Sequence, residues 1–155
     1  MGKMEKQNQF SGLAKYAWFV LAYTVLVILW GAFVRATGSG AGCGSHWPTC
    51  NGEVIPRPET LETWIELSHR LTSAFLGILV IGLVIWAWRQ HGVAHRVTKG
   101  AIWTLIFVII EGAIGAGLVL LELVADNPSS ARAIWMGGHL INTLILLAIN
   151  TATAY

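Results

Sequence analysis

Apolar residues occur in four long runs, and short polar segments separate these runs. The third run, 100–121, is interrupted by a single charged residue, Glu111. As a helix, each run is long enough to cross a hydrocarbon layer of about 30 Å. We therefore predict an all-α integral membrane protein, a four-transmembrane-helix antiparallel bundle with one long extracytoplasmic loop. The predicted spans are about 16–35, 65–88, 100–123 and 133–155.

The composition agrees with this class. Of the 155 residues, 55% are apolar and only 12% are charged, whereas a soluble domain carries about a quarter charged residues. A lipid bilayer is therefore the expected surrounding. The formal net charge of +2 gives no reason to expect a nucleic-acid partner.

Lys and Arg predict the orientation. The N-terminal tail 1–15 and the loop 89–99 hold six of them, and the other side holds four. The positive-inside rule then puts both termini in the cytoplasm, so we expect a multi-pass plasma-membrane protein. No small-residue cleavage site follows the first run, so no removable signal peptide is expected.

The outer loop 37–62 is rich in Gly and Pro, which disfavours helix. Thr60 and Thr63 are candidate N-caps of the second helix.

His69 and His139 are the main candidates for chemistry. They lie at similar depth in two spans that run in the same direction, so their imidazoles could bind one heme iron from opposite faces of a porphyrin. Gly137 and Gly138 remove side-chain bulk beside His139. The alternative is that each histidine is a polar group bonded to a neighbouring helix. Arg35 and Arg70, at outer helix ends, could bind heme propionates or extend to the membrane interface.

Two carboxylates lie close to these histidines or within a span. Glu66 precedes His69 by three residues on the same helix face, so it could orient the ligand or move protons. The alternative is a capping box with Thr63. Glu111 lies near the middle of the third span, where a lone charge is costly. It is therefore expected to be protonated or paired inside the bundle, with a proton route as the functional interpretation.

Cys43 and Cys50 lie in the outer loop. This side of the membrane is oxidising, so a disulfide is the default expectation. A redox-active pair is a second interpretation. Zinc binding with His46 lacks a fourth nearby ligand.

Four stretches of the chain resemble the heme A synthase family, which belongs to the assembly pathway of terminal oxidases. They read GAFVRATGSG at 31–40, CGSHWPTCNG at 43–52, IELSHR at 65–70 and GHLINT at 138–143. The stretches follow one another in matching topological places and extend over nearly the whole chain.

The resemblance implies that heme O is the substrate and that its C8 methyl group is oxidised to a formyl group by successive hydroxylations, giving heme A. It implies that His69 and His139 are heme ligands and that Cys43 and Cys50 form a disulfide. It also implies that Glu66 serves oxidation rather than only a cap. The bound group would be a b-type cofactor heme, substrate heme O, or both, and heme O synthase is a candidate partner.

The chain departs from the family in one respect. The commoner members have eight spans in two similar halves, and this chain matches the first half. We therefore expect a homodimer or a second four-helix half. A b-type electron-transfer cytochrome is the alternative function, since it needs the histidine pair but not Glu66. A di-iron oxygenase is disfavoured because Met136, not Glu, precedes His139 by three residues.

Overall fold

The computed structural model describes residues 12–54, 56–57, 60–125 and 127–155, so most of the polar N-terminal tail lies outside the described residues. The described chain forms four long helices and one short 3-10 turn, Ser39–Ala41. The helices are α1 (Gly12–Ala36), α2 (Leu61–His91), α3 (Arg96–Leu120) and α4 (Ser130–Ala154). All four are long and apolar enough to cross a membrane. The predicted all-α, four-helix membrane class is therefore confirmed.

The helices form a closed ring. Helix α1 packs against α2 and α4, and α3 packs against the same two helices, so α2 and α4 face each other across the diagonal of the bundle. We call the end with the long segment 37–60 and the α3–α4 connection the loop end. The other end, with the α2–α3 turn, is called the opposite end.

The start of α2 corrects one sequence-based prediction. Oγ1 of Thr60 accepts a hydrogen bond from the backbone N–H of Thr63 at 3.3 Å, which makes Thr60 the N-cap. A capping box of Thr63 and Glu66 is therefore wrong, because the helix begins one turn earlier and both residues lie inside it. Helix α3 ends at Leu120, and the chain then turns at Glu122 and Ala125, which both have positive φ.

The apolar core lies toward the opposite end. It brings together the first half of α1, the second half of α2, the start of α3 and the end of α4, with Val20, Val80, Leu83 and Ala101 fully buried. Only 17% to 28% of the most apolar window of each helix is buried inside the bundle. The remaining apolar side chains face outward, as expected for contact with lipid. The loop end holds the polar candidates instead.

Candidate functional site: two histidines and a clamped loop

His69 on α2 and His139 on α4 lie at the same level of the bundle. The helix rises about 12 Å from Leu61 to His69 and about 14 Å from Ser130 to His139. The two residues are close enough to interact electrostatically across the diagonal. The matched depth predicted from the sequence is thus reached by side chains on the two helices that face each other.

The ring of His69 packs against a glycine of α1. A Cβ atom on Gly31 would lie 2.9 Å from Cε1 and 3.1 Å from Nε2 of His69, which is too close for an ordinary contact. Nδ1 of His69 is buried and has no hydrogen-bond partner among the described residues. A buried polar nitrogen without a partner is costly, so this pocket suits an imidazole that binds something else.

His139 is surrounded by polar side chains. Its Nδ1 lies 3.0 Å from Oε1 of Glu111 on α3. Oε2 of Glu111 accepts a hydrogen bond of 2.5 Å from Nδ2 of Asn142, and Oε1 accepts one from the hydroxyl of Thr143. Glu111 is therefore paired inside the bundle, which is one of the two states expected from its position in the span.

Space remains beside His139. A Cβ atom on Gly137 or on Gly138 would meet no heavy atom within 4 Å. Open space, two imidazoles on diagonal helices and a buried Nδ1 without a hydrogen-bond partner fit a large planar group with a metal at its centre. The residues present therefore fit a heme.

Glu66 has partners that its sequence neighbours do not suggest. The side chain is only 5% exposed. Oε2 accepts a hydrogen bond of 2.8 Å from the backbone N–H of Cys43. Oε1 accepts from Nε of Arg70 at 3.1 Å and from a terminal nitrogen of the same guanidinium at 2.5 Å. The carboxylate thus joins α2 to the outer loop.

Arg70 extends the same contact. Its other terminal nitrogen donates to the carbonyl oxygens of His46 and Thr49, both at 2.8 Å. One turn before Glu66, the hydroxyl of Thr63 donates to the carbonyl of Gly42 at 2.7 Å. Thr63, Glu66 and Arg70 share one face of α2, and together they clamp the segment 42–49.

The clamped segment contains the two cysteines. The sulfur atoms of Cys43 and Cys50 are bonded, and the Cα atoms are 4.4 Å apart. Both residues are almost completely buried. A side chain at Gly42 would overlap the backbone of Glu62 and Thr63, so the absence of a Cβ atom allows the loop to lie directly on the start of α2.

Arg35 lies apart from this clamp. It is exposed at the end of α1 and lines a cleft of about 500 Å³. Arg132, Met136 and Gly137 of α4 also line the cleft. A basic cleft that borders the glycines before His139 offers cationic donors to an anionic group.

Comparison with known proteins decides the family. Residues 14–155 match the family described as cytochrome oxidase assembly protein, COX15-CtaA. The chain belongs to this family. The match extends over all four helices, and the resemblance to heme A synthases inferred from the four sequence stretches is confirmed.

Two different names occur among the curated relatives of this chain. A protein named heme A synthase from Halalkalibacterium halodurans is 48% identical over 96 residues, which is 62% of this chain and 32% of the relative. A protein of the same name from Geobacillus kaustophilus is 45% identical over 106 residues, 66% of this chain and 33% of the relative.

The second name belongs to a Thermus thermophilus protein, protoheme IX farnesyltransferase. It is 51% identical over 150 residues, 97% of this chain and 25% of the relative. The chain thus spans about a quarter to a third of the length of the relatives it matches. No solved structure matches the chain.

The structure groups the residues singled out from the sequence of this family member into three places. His139 and Glu111 are in contact in the bundle, and His69 lies at the same level on the diagonal helix. Glu66, Arg70 and the cysteines form the loop clamp, and Arg35 lines the cleft. Sequence reasoning missed the contributions of Gly31, Asn142 and Thr143. For the last two a signal existed, because residues three and four positions after His139 share its helix face.

Proposed function

We propose that this family member is the heme-holding four-helix unit of a heme A synthase, which oxidises the C8 methyl group of heme O to a formyl group. The observation that carries the proposal is the pair His69 and His139 on diagonal helices at equal depth. Relatives named heme A synthase at 45% to 48% identity favour this function over a b-type electron-transfer protein.

In this proposal the imidazoles of His69 and His139 would hold the heme iron, and the bound heme would supply the redox chemistry. Glu66 accepts protons released as the methyl group is oxidised. Support comes from its position one turn from His69 and from its burial. Its hydrogen bond to Cys43 adds a second role, since the same carboxylate stabilises the loop above the site.

Arg35 and Arg70 are the proposed partners of the heme propionates. Arg35 is better placed, because it lines the cleft beside α4. Four of the five N–H bonds of the Arg70 guanidinium are directed at Glu66, His46 and Thr49, which leaves one for another acceptor.

The proposed partners follow from the length of the relatives. A second four-helix unit, from another copy or from a longer chain, would complete the enzyme, because one histidine pair holds one heme. The Thermus relative is named protoheme IX farnesyltransferase, and a quarter of its length is similar to this chain. A farnesyltransferase that makes heme O is therefore a further proposed partner.

Four apolar helices and the family make this a multi-pass membrane protein. We propose the plasma membrane, with the loop end outside and both termini in the cytoplasm. The excess of Lys and Arg around the opposite end supports this orientation. The bonded cysteines support it too, since disulfides persist in oxidising compartments.

Heme ligation is tested with His69→Ala, His139→Ala and the double variant. Purified wild-type protein is expected to show a low-spin, six-coordinate spectrum, and the double variant is expected to lose it. His91→Ala is the matched control, because His91 lies at the opposite end of α2. An unaltered heme content and spectrum in the double variant would refute the heme site.

Oxidation is tested separately. The chain is expressed with a source of heme O, and extracted hemes are analysed by chromatography and mass. We expect heme A only when two four-helix units are associated, as judged by the size of the purified complex. Formation of heme A by a monomeric chain would refute the need for a second unit. Bound heme that is never oxidised in the associated complex would favour the electron-transfer alternative.

A further inference from the structure

Glu111 is a carboxylate in the middle of a membrane-spanning helix, and the proposed function leaves it without a role. It lies on α3, which contributes no proposed ligand. Its partners are nevertheless all on α4: Asn142 and Thr143 donate to its oxygens, and Nδ1 of His139 lies 3.0 Å from Oε1. The described residues thus direct this carboxylate at one of the two candidate ligands.

The two histidines differ in this respect. Nδ1 of His69 is buried and meets no hydrogen-bond partner in the described parts of the chain, and Gly31 lies against its ring. Nδ1 of His139 has a carboxylate oxygen at hydrogen-bond distance, although the Nδ1–H bond is not aligned with that oxygen. A rotation of the imidazole about its bond to Cβ changes this alignment without moving either helix.

We infer that Glu111 is a positioning residue for His139, and that it makes the two candidate ligands His69 and His139 unequal. This inference rests on the proposed function, in which both histidines bind heme iron. A histidine that ligates a metal through one nitrogen usually donates its other N–H to a carboxylate or carbonyl, which selects the tautomer and orients the ring. After the rotation described above, Glu111 would do this for His139, and Nε2 would keep its lone pair for the iron.

Asn142 and Thr143 hold the carboxylate in place. Nδ2 of Asn142 donates to Oε2 of Glu111 and also to the carbonyl of Phe107 on α3, at 3.0 Å. Asn142 is almost completely buried. The acceptor oxygens of Glu111 are therefore oriented by α4 itself, and the same helix carries the ring that they orient.

The test is a double-mutant cycle on the rate at which hemin leaves the purified full-length chain in detergent. Glu111→Leu is introduced into the His69→Ala background, where His139 is the remaining ligand, and into the His139→Ala background. We expect hemin to leave about tenfold faster or more in the first background and at an unchanged rate in the second. Equal effects in both backgrounds would show that Glu111 acts through general packing and would overturn the inference.

The cycle separates this inference from the proposed function. If His139→Ala by itself leaves hemin binding unaltered, the heme site is wrong. If His139→Ala weakens binding and Glu111→Leu has no effect beside an intact His139, only the positioning role is wrong. Asn150→Leu is the control, because Asn150 is a buried polar residue of α4 that bonds Thr24 near the opposite end. Its hemin release should match the wild type.

A second measurement applies if the variants with a single histidine ligand retain no hemin. In the otherwise native chain, Glu111→Gln keeps one acceptor oxygen and should retain hemin, with a detectable high-spin fraction from a less well oriented His139. Glu111→Leu should show a larger high-spin fraction. Glu111→Asp should show a larger low-spin fraction than Glu111→Leu, because it keeps a carboxylate. Identical spectra for all three variants and the wild type would overturn the inference.

Discussion

Oε2 of Glu66 accepts a hydrogen bond of 2.8 Å from the backbone nitrogen of Cys43. Glu66 lies one helical turn before His69. The same carboxylate thus also holds the loop that contains the Cys43–Cys50 disulfide. A loss of activity at position 66 could therefore come from the proton acceptor or from the loop, and Arg70, which contacts both the carboxylate and the loop, separates the two.

We expect Glu66→Gln to retain heme and to form little or no heme A, because Gln keeps an acceptor oxygen but cannot take up a proton. A partly oxidised heme should accumulate. Arg70→Gln is the matched variant: it removes donors to the carbonyls of His46 and Thr49 and to Oε1 of Glu66, but it keeps an ionisable carboxylate at position 66. Arg70→Gln should retain more activity than Glu66→Gln, as measured by extracted heme A per heme bound. Equal losses in the two variants would mean that Glu66 acts only as part of the clamp.

Gly31→Ala should weaken heme binding, because the new Cβ atom would lie 2.9 Å from Cε1 of His69 and displace the ring. Gly77→Ala is the control: that Cβ atom would meet nothing within 4 Å. Both changes place Ala in a helix and bring the same gain of up to about 1 kcal/mol in helix propensity. Hemin affinity should fall for Gly31→Ala alone, and equal affinities would contradict the contact with His69.

Cys43 and Cys50 are expected to be joined in protein taken from intact membranes. Alkylation without reductant, followed by mass analysis, should label neither thiol. The double change Cys43→Ser, Cys50→Ser should lower the free energy of unfolding of the loop end by about 2.5 kcal/mol on the chain-entropy estimate. Two labelled thiols in the native protein would contradict the bridge.

Arg35→Gln should raise the dissociation constant for hemin by up to about fivefold, since an exposed ion pair contributes up to about 1 kcal/mol. Arg89→Gln, at the exposed end of α2 in the opposite half of the bundle, is the matched control and should have no effect. The difference should shrink at high salt because screening weakens exposed charge pairs. A hemin affinity that is the same for both variants would remove Arg35 from the site.

Much of the fold could be predicted from the chain because it depends on local pattern. A run of about 20 apolar residues can satisfy its backbone in lipid only as a helix or in a closed barrel, so four runs without strand-like alternation predict four helices. The histidine pair was predictable for a similar reason, since depth in a span is a simple count along the helix.

The loop clamp was not predictable in this way. Glu66 and Arg70 bind a backbone N–H and backbone carbonyls of residues 21 to 24 positions away. Every residue other than proline carries both groups, so the partner leaves no mark in the sequence. The capping box with Thr63 was a reasonable local pattern, and it was wrong because Thr60 starts the helix one turn earlier.

The sequence by itself determined the helices, the matched positions of His69 and His139 along two of them, and the presence of an ionisable residue at position 111. The tertiary structure decided which helices face each other and which groups meet. Helix α3 packs beside α4, and this neighbour relation brings Glu111 to His139 and leaves Gly31 of α1 against His69. The physical reason is that periodicity reports which face of a helix is apolar, whereas the choice of neighbour depends on packing and polar contacts between segments distant in the chain.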